Sequence, residues 1–163
     1  MTARVLVVDD LEPNVKLLEA KLRAEYFEVV TALSGRDAIE IAQTQQPDIV
    51  LLDVMMPGMD GFETCARLKN SDTTWHIPVV MVTALDQQAD RVAGLKAGAD
   101  DFITKPVQDI ALFSRVCSLT RFKHMTDELR HRHQAGERMG VLSQADLSAF
   151  DERHATILTV TDA

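Results

Sequence analysis

Two kinds of apolar pattern alternate along most of the chain. Short unbroken runs of mostly branched residues, Val5-Leu6-Val7-Val8, Ile49-Val50-Leu51-Leu52 and Val79-Val80-Met81-Val82, are too brief for free-standing helices. Such runs, bounded by charge or turn residues, read as strands buried on both faces. Between them apolar residues recur at helical spacing: Val15, Leu18 and Leu22, then Ala38, Ile39 and Ala42, then Val92 and Leu95. That is the mark of helices burying one stripe. The patterns predict strands over 4–8, 27–33, 49–52, 78–82 and 102–104, and helices over 13–25, 35–45, 62–70, 87–97 and from 107 onward. Pro13 suits the first turn of its helix and Gly98 the end of another. Gly94, inside the fourth helix, should weaken it by about 1 kcal/mol relative to Ala. The fifth helix is unusually long, because Ile110, Phe113, Val116, Leu119 and Phe122 keep the spacing and neither Gly nor Pro intervenes before Gly136.

Five strand–helix alternations imply an α/β, doubly wound, five-stranded parallel sheet with right-handed crossovers, flavodoxin-like strand order 2-1-3-4-5, and an extended C-terminal helix. The first and third strands are then neighbours. One ends in Asp9-Asp10 and the other in Asp53, while the fourth and fifth bring Thr83 and Lys105 to the same carboxyl edge, where open α/β sheets bind ligands.

Composition narrows the classes. The chain has 163 residues, 46% hydrophobic, enough for one good core plus an appendage. No stretch approaches the roughly 18 consecutive apolar residues of a membrane span, and the N-terminus lacks a signal pattern, so a cytoplasmic protein is expected. The net charge of −8 is concentrated in residues 1–106, with 17 acids against 10 bases, while residues 107–163 hold 8 against 7. An acidic chain without a basic stripe is a poor nucleic-acid binder, and none is expected. Cys65 and Cys117 match no redox or metal spacing and read as buried thiols without a disulfide. His76, His124, His131, His133 and His154 show no ligand spacing either.

Three converging carboxylates repel one another unless a cation intervenes. Mg²⁺ takes an octahedron of oxygens, which suits Asp10 and Asp53 directly, Asp9 through water, and a backbone carbonyl in the turn at Val54 and Met55. Asp53 is then a candidate nucleophile toward phosphorus, forming an acyl phosphate, with Lys105 supplying positive charge and Thr83 a hydroxyl donor. Any one acid at a strand end is ordinarily a solvated loop residue. Five such groups arriving in order on one sheet edge are not explained that way.

The motifs VLVVDD (5–10), LLDVMMPGMDG (51–61), VVMVTA (79–84) and GADDFITKP (98–106) resemble those of response-regulator receiver domains of two-component signalling. The resemblance implies phosphotransfer from a sensor histidine kinase or phosphotransfer protein onto Asp53, Mg²⁺ at Asp9, Asp10, Asp53 and the Met55 carbonyl, and Ala84 in the cofactor-binding set beside Thr83. It also implies a cis peptide before Pro106, and a switch in which the Thr83 hydroxyl moves toward the phosphoryl group while Phe102 turns inward behind it. The output surface would be the fourth helix, fifth strand and fifth helix.

The stretches LEAKLRAEYFEV (18–29), HIPVVMVTALD (76–86) and LFSRVCSLTRFKHMTDELR (112–130) further resemble the first receiver of PleD-type diguanylate cyclases, in which a receiver, a degenerate receiver-like adaptor and a cyclase domain follow one another. Residues 155–162 align without gaps on residues 3–10, with Thr161 opposite Asp9, and read as the first strand of a second receiver-like domain. The expected organisation is a receiver over 1–122, a helix extension and linker over 123–154, and that strand over 155–163. The cyclase signature Gly-Gly-Asp/Glu-Glu-Phe is absent from this sequence, so the chain itself is expected not to be an enzyme.

A stand-alone receiver acting as a binding adaptor is the main alternative. A flavodoxin would need a Ser/Thr/Gly phosphate loop after the first strand, where this chain has Asp9-Asp10-Leu11-Glu12. A haloacid-dehalogenase-type phosphatase would need Asp-x-Asp there. The resemblance also implies that the side chains two places after the acceptor and two after the threonine help place the attacking water; here these are Met55 and Leu85, which hydrogen-bond water poorly, so a long-lived phosphoryl group is expected. Arg115, with Asp100, Asp101 and Arg91 nearby, is expected to pair between subunits of a phosphorylation-dependent homodimer.

Overall fold

The computed structural model of the chain describes residues 2–84 and 88–139, with side chains as far as residue 129. Five strands alternate with five helices: β1 (Arg4–Val8), α1 (Glu12–Ala24), β2 (Glu28–Ala32), α2 (Gly35–Gln45), β3 (Ile49–Asp53), α3 (Gly61–Lys69), β4 (Val79–Thr83), α4 (Gln88–Ala97), β5 (Asp101–Thr104) and α5 (Asp109–Met139). All strand pairs are parallel, in the order β2-β1-β3-β4-β5. This is the doubly wound, flavodoxin-like sheet that the apolar patterning predicts.

Alternation along each strand divides the core into two layers. Val5, Val7, Ile49, Leu51, Val80, Val82 and Ile103 pack with Val15, Leu18 and Leu22 of α1 and Leu112 and Val116 of α5. Leu6, Val8, Val50, Leu52, Val79 and Met81 pack on the opposite face with Ala38 and Ala42 of α2 and Cys65 and Leu68 of α3. The central strands β3 and β4 are buried throughout, and so include Asp53 and Thr83 as their last residues.

Helix ends follow local chemistry. Ser34 and Asp60 cap α2 and α3 by accepting the backbone N–H groups of Asp37 and Glu63. Gln46 ends α2 in the left-handed region, at φ 46°. α5 starts at Asp109, slightly later than the spacing predicts, and continues through Gly136, since one glycine costs a helix only about 1 kcal/mol. Met1–Lys123 form one compact unit and a second begins at His124. Within the first, Lys123 Nζ meets Asp48 Oδ1 at 3.4 Å, and the other Asp48 oxygen accepts the Arg4 N–H at 2.7 Å. Among the described residues no helix is long and apolar enough to cross a membrane. The expected strand at 155–163 lies outside the described residues.

Arg115 and Asp100, named above for pairing between subunits, each have a partner within the chain. Arg115 Nε donates to Asp101 of its own chain at 3.0 Å, and Asp100 is held by Lys69 Nζ at 2.9 Å and by the Val79 N–H at 2.8 Å.

Candidate functional site

The carboxyl ends of β1, β3, β4 and β5 converge because the buried strands stop where their polar residues begin. Asp9 follows the last residue of β1, and its backbone N–H donates to the Ala32 carbonyl at 3.2 Å, which continues the ladder one step past the strand. Its side chain is then fixed from two sides. Oδ1 accepts the Leu11 N–H at 2.9 Å and Oδ2 accepts Asn14 Nδ2 at 3.1 Å. Asn14 was not apparent as a site residue from motif spacing; its position in the first turn of α1, five residues after Asp9, is the signal that could have found it.

Asp53 is the last residue of β3, opposite Val82 of β4. It is 5% exposed, and Asp9 is 2% exposed. Asp9, Asp10 and Asp53 each offer an oxygen within 4.8 Å of the others. Lys105 lies just past β5, where its N–H donates to the Thr83 carbonyl at 2.8 Å. That bond aims its side chain inward, and Nζ donates to Asp53 Oδ1 at 3.1 Å and Asp9 Oδ2 at 3.3 Å. The Lys105–Pro106 peptide is cis.

Burial is the main reason the Asp53 carboxyl titrates above its ordinary value; the Asp9 and Asp10 charges add to this, and the hydrogen bond and charge of Lys105 offset it only in part. Burial alone would lower Lys105, but its hydrogen bond with Asp53 and the charges of Asp53 and Asp9 outweigh burial and hold the ammonium above its ordinary value. Three carboxylates against one ammonium leave an excess of negative charge on hard oxygen donors. That donor set fits a hard divalent cation, which would supply the missing positive charge.

The remaining sequence-selected residues lie around this cluster. Thr83 ends β4, 5% exposed, with Ala84 exposed after it. The Met55 side chain, two residues past Asp53, is 65% exposed. Phe102 is half-buried and packs against the core layer of α2 and α3, two pairs back from Thr104, the partner of Thr83. Leu85 lies outside the described residues. Motif spacing gives no reason to place Gly61 at the site, yet its N–H donates to the Val54 carbonyl at 2.9 Å and a Cβ on it would overlap the Asp53 carbonyl oxygen.

Residues 5–117 match the response regulator receiver domain family. The chain is 57% identical over 162 residues to the response regulator PleD of Caulobacter vibrioides, across 99% of this chain and 36% of that protein, so it spans about a third of the length of that curated relative. The fold is also similar to that of the Vibrio cholerae chemotaxis protein CheY4, with TM-score 0.70 and 28% identity, over 73% of this chain and 99% of that one. A third likeness is to the receiver domain of a Pseudomonas aeruginosa sensor histidine kinase, whose structure has a magnesium ion coordinated in the active-site cleft. There the TM-score is 0.67 at 28% identity, over 76% of this chain and 99% of that one. On the sequence match, the sheet order and the acidic cluster together, the chain belongs to the response regulator receiver domain family.

Proposed function

We propose that Asp53 accepts a phosphoryl group from the phosphohistidine of a sensor kinase or phosphotransfer protein in the cytoplasm, and that this switches the output of a longer protein. The observation that carries the reading is the contact of Asp53 with Lys105 inside a cluster of three carboxylates. An Asp53 oxygen attacks phosphorus in line with the bond to the donor imidazole; the new O–P bond forms as the N–P bond breaks, and the imidazole leaves with its electron pair. Asp9 and Asp10, with Asp53 and the Met55 carbonyl, would hold Mg²⁺, and the likeness to a magnesium-containing receiver supports that choice of ion. When bound, Mg²⁺ supplies positive charge to the phosphoryl oxygens.

Lys105, now bridging Asp53 and Asp9, is placed to follow the transferred oxygens as an ion-pair partner. Asn14 and the Leu11 N–H hold Asp9 in place meanwhile. Thr83 supplies a hydroxyl to the phosphoryl group, with Ala84 beside it, and Phe102 turns inward as Thr83 moves. With Met55 two residues after the acceptor and Leu85 two after Thr83, neither able to hydrogen-bond water well, attacking water is poorly oriented and the acyl phosphate is long-lived.

The identity to PleD supports a parent protein in which this switch controls dimerisation and cyclic-di-GMP synthesis by a cyclase domain. The test is intact mass after incubation with acetyl phosphate and Mg²⁺. A gain of one phosphoryl group in the native chain and none in Asp53→Asn is expected; equal masses would leave a receiver that works by binding alone. Sedimentation of the same samples reads dimerisation.

A further inference from the structure

The buried Asp9 carboxylate is met by three protein donors of unlike kind. The Leu11 N–H serves Oδ1 at 2.9 Å, while Oδ2 is shared between Asn14 Nδ2 at 3.1 Å and Lys105 Nζ at 3.3 Å. Lys105 is charged and also holds Asp53 Oδ1, at 3.1 Å. Asn14 is neutral and belongs to α1.

Asn14 does little for its own helix. Asparagine is a poor helix former whose favoured place is the N-cap, where its side-chain oxygen accepts a backbone N–H. The N-cap of α1 is Leu11, which makes no side-chain hydrogen bond, and Asn14 sits third in the helix instead. From there its amide donates back to Asp9. A cation at position 14 could bond the same oxygen, but it would also neutralise Asp9 and repel Lys105; an amide does neither.

The reaction treats the two donors on Oδ2 differently. As phosphoryl oxygens arrive on Asp53, Lys105 moves to them, and Oδ2 loses its ammonium. Asn14, fixed in the first turn of α1, stays. A buried carboxylate oxygen left without a protein donor is strongly disfavoured, so without the amide Asp9 would hold Lys105 back.

We infer that Asn14 is a positioning residue acting through Asp9: by keeping Oδ2 bonded, its amide lets Lys105 leave for the phosphoryl oxygens. The inference rests on the reading of Asp53 as a phosphoacceptor.

The experiment compares the full chain with Asn14→Leu, Lys105→Met and the double variant. Leucine keeps the branching at Cγ, carries no donor and forms helix better than asparagine, so α1 itself is not weakened. In EDTA and without phosphodonor, either donor alone still serves Oδ2, whereas the double variant leaves it with neither. Its urea midpoint is therefore expected to fall by more than the two single falls together. With acetyl phosphate and Mg²⁺, Asn14→Leu is expected to slow phosphorylation about fivefold or more. In the Lys105→Met background it should slow it no further. Additive midpoints, or an equal slowing without Lys105, overturn the inference, because Asn14 would then act through α1 or the ion site and not through the shared oxygen.

If Asn14→Leu or the double variant fails to fold, Asn14→Leu is made in Asp9→Asn, which has no charge at that position. There it is expected to fold and to leave the phosphorylation rate of Asp9→Asn as it was; failure to fold, or further slowing, overturns the inference. A native chain that gains no phosphoryl mass sinks the phosphoacceptor reading and with it the release of Lys105. The midpoints in EDTA still judge the shared oxygen by themselves.

Discussion

Asp53 is held in a state that its own chemistry disfavours. Buried and facing two further carboxylates, it titrates above its ordinary value, so the folded protein binds its proton more tightly than the unfolded chain does. Ionisation therefore costs stability: the cost is absent below the unfolded pKa of about 3.9, grows as pH rises toward the folded value, and is complete above it. Asp53→Asn removes the charge at similar volume and leaves Lys105 with Asp9 as partner. Without divalent cations the variant should be more stable than the native protein at pH 7 by about 0.5–2 kcal/mol. That gain should fade toward pH 3. Urea unfolding in EDTA across this range checks it, and a variant less stable than native at pH 7 would mean that the Lys105 pairing outweighs burial. The identity of Asp53 was legible from sequence because a wholly apolar run ends in a charge. Its strained ionisation was not, since burial and the distances to Asp9, Asp10 and Lys105 exist only once four strands are aligned.

At the scale of elements, the loop from β3 into α3 has little room to move. Gly61 opens α3 directly against the strand end, and a Cβ there would overlap the carbonyl oxygen of Asp53 and lie 2.7 Å from the Val54 Cα. These are backbone atoms of a central strand and cannot rotate away. Gly61→Ala should therefore cost about 1–3 kcal/mol and push the start of α3 off the strand, carrying the Met55 carbonyl with it. Both the melting temperature and the apparent affinity for Mg²⁺ should fall. Restored stability with normal ion affinity in a loop-shortened or otherwise relaxed background is not expected, because the same contact sets both.

Sequence patterning places nearly every element here within a residue or two, since strands and amphipathic helices are written in local periodicity. What it misses is tertiary in origin. Gly94 reads in sequence as a flaw in α4, and only the nearby Phe102 ring shows why the position is empty. Likewise the sequence puts Asp101 near Arg115 but not the 3.0 Å contact that joins them within one chain.

At the scale of the molecule, the acidic cluster joins parts of the chain distant in sequence: Asp9 and Asp10 after β1, Asp53 at the end of β3, and Lys105 after β5. A cation held there by Asp9, Asp10 and Asp53 would bind only the folded sheet, since the unfolded chain does not bring these oxygens together. Binding is then linked to folding, and free ion at 100 times its dissociation constant should stabilise the protein by about 2.7 kcal/mol. For a domain of this size that is on the order of 10 °C in melting temperature. Asp53→Asn, which replaces one ligand and is already relieved of repulsion, should gain much less from the same addition. Thermal melts of the native chain and Asp53→Asn in EDTA and in a Mg²⁺ series separate the two effects. If both proteins gained equally, the ion would be acting elsewhere on this −8 chain, through general screening, and not at the cluster. A rise confined to the native protein, saturating with Mg²⁺ and absent with an equal ionic strength of NaCl, ties the stability of the whole sheet to the edge at which phosphorylation is proposed to act.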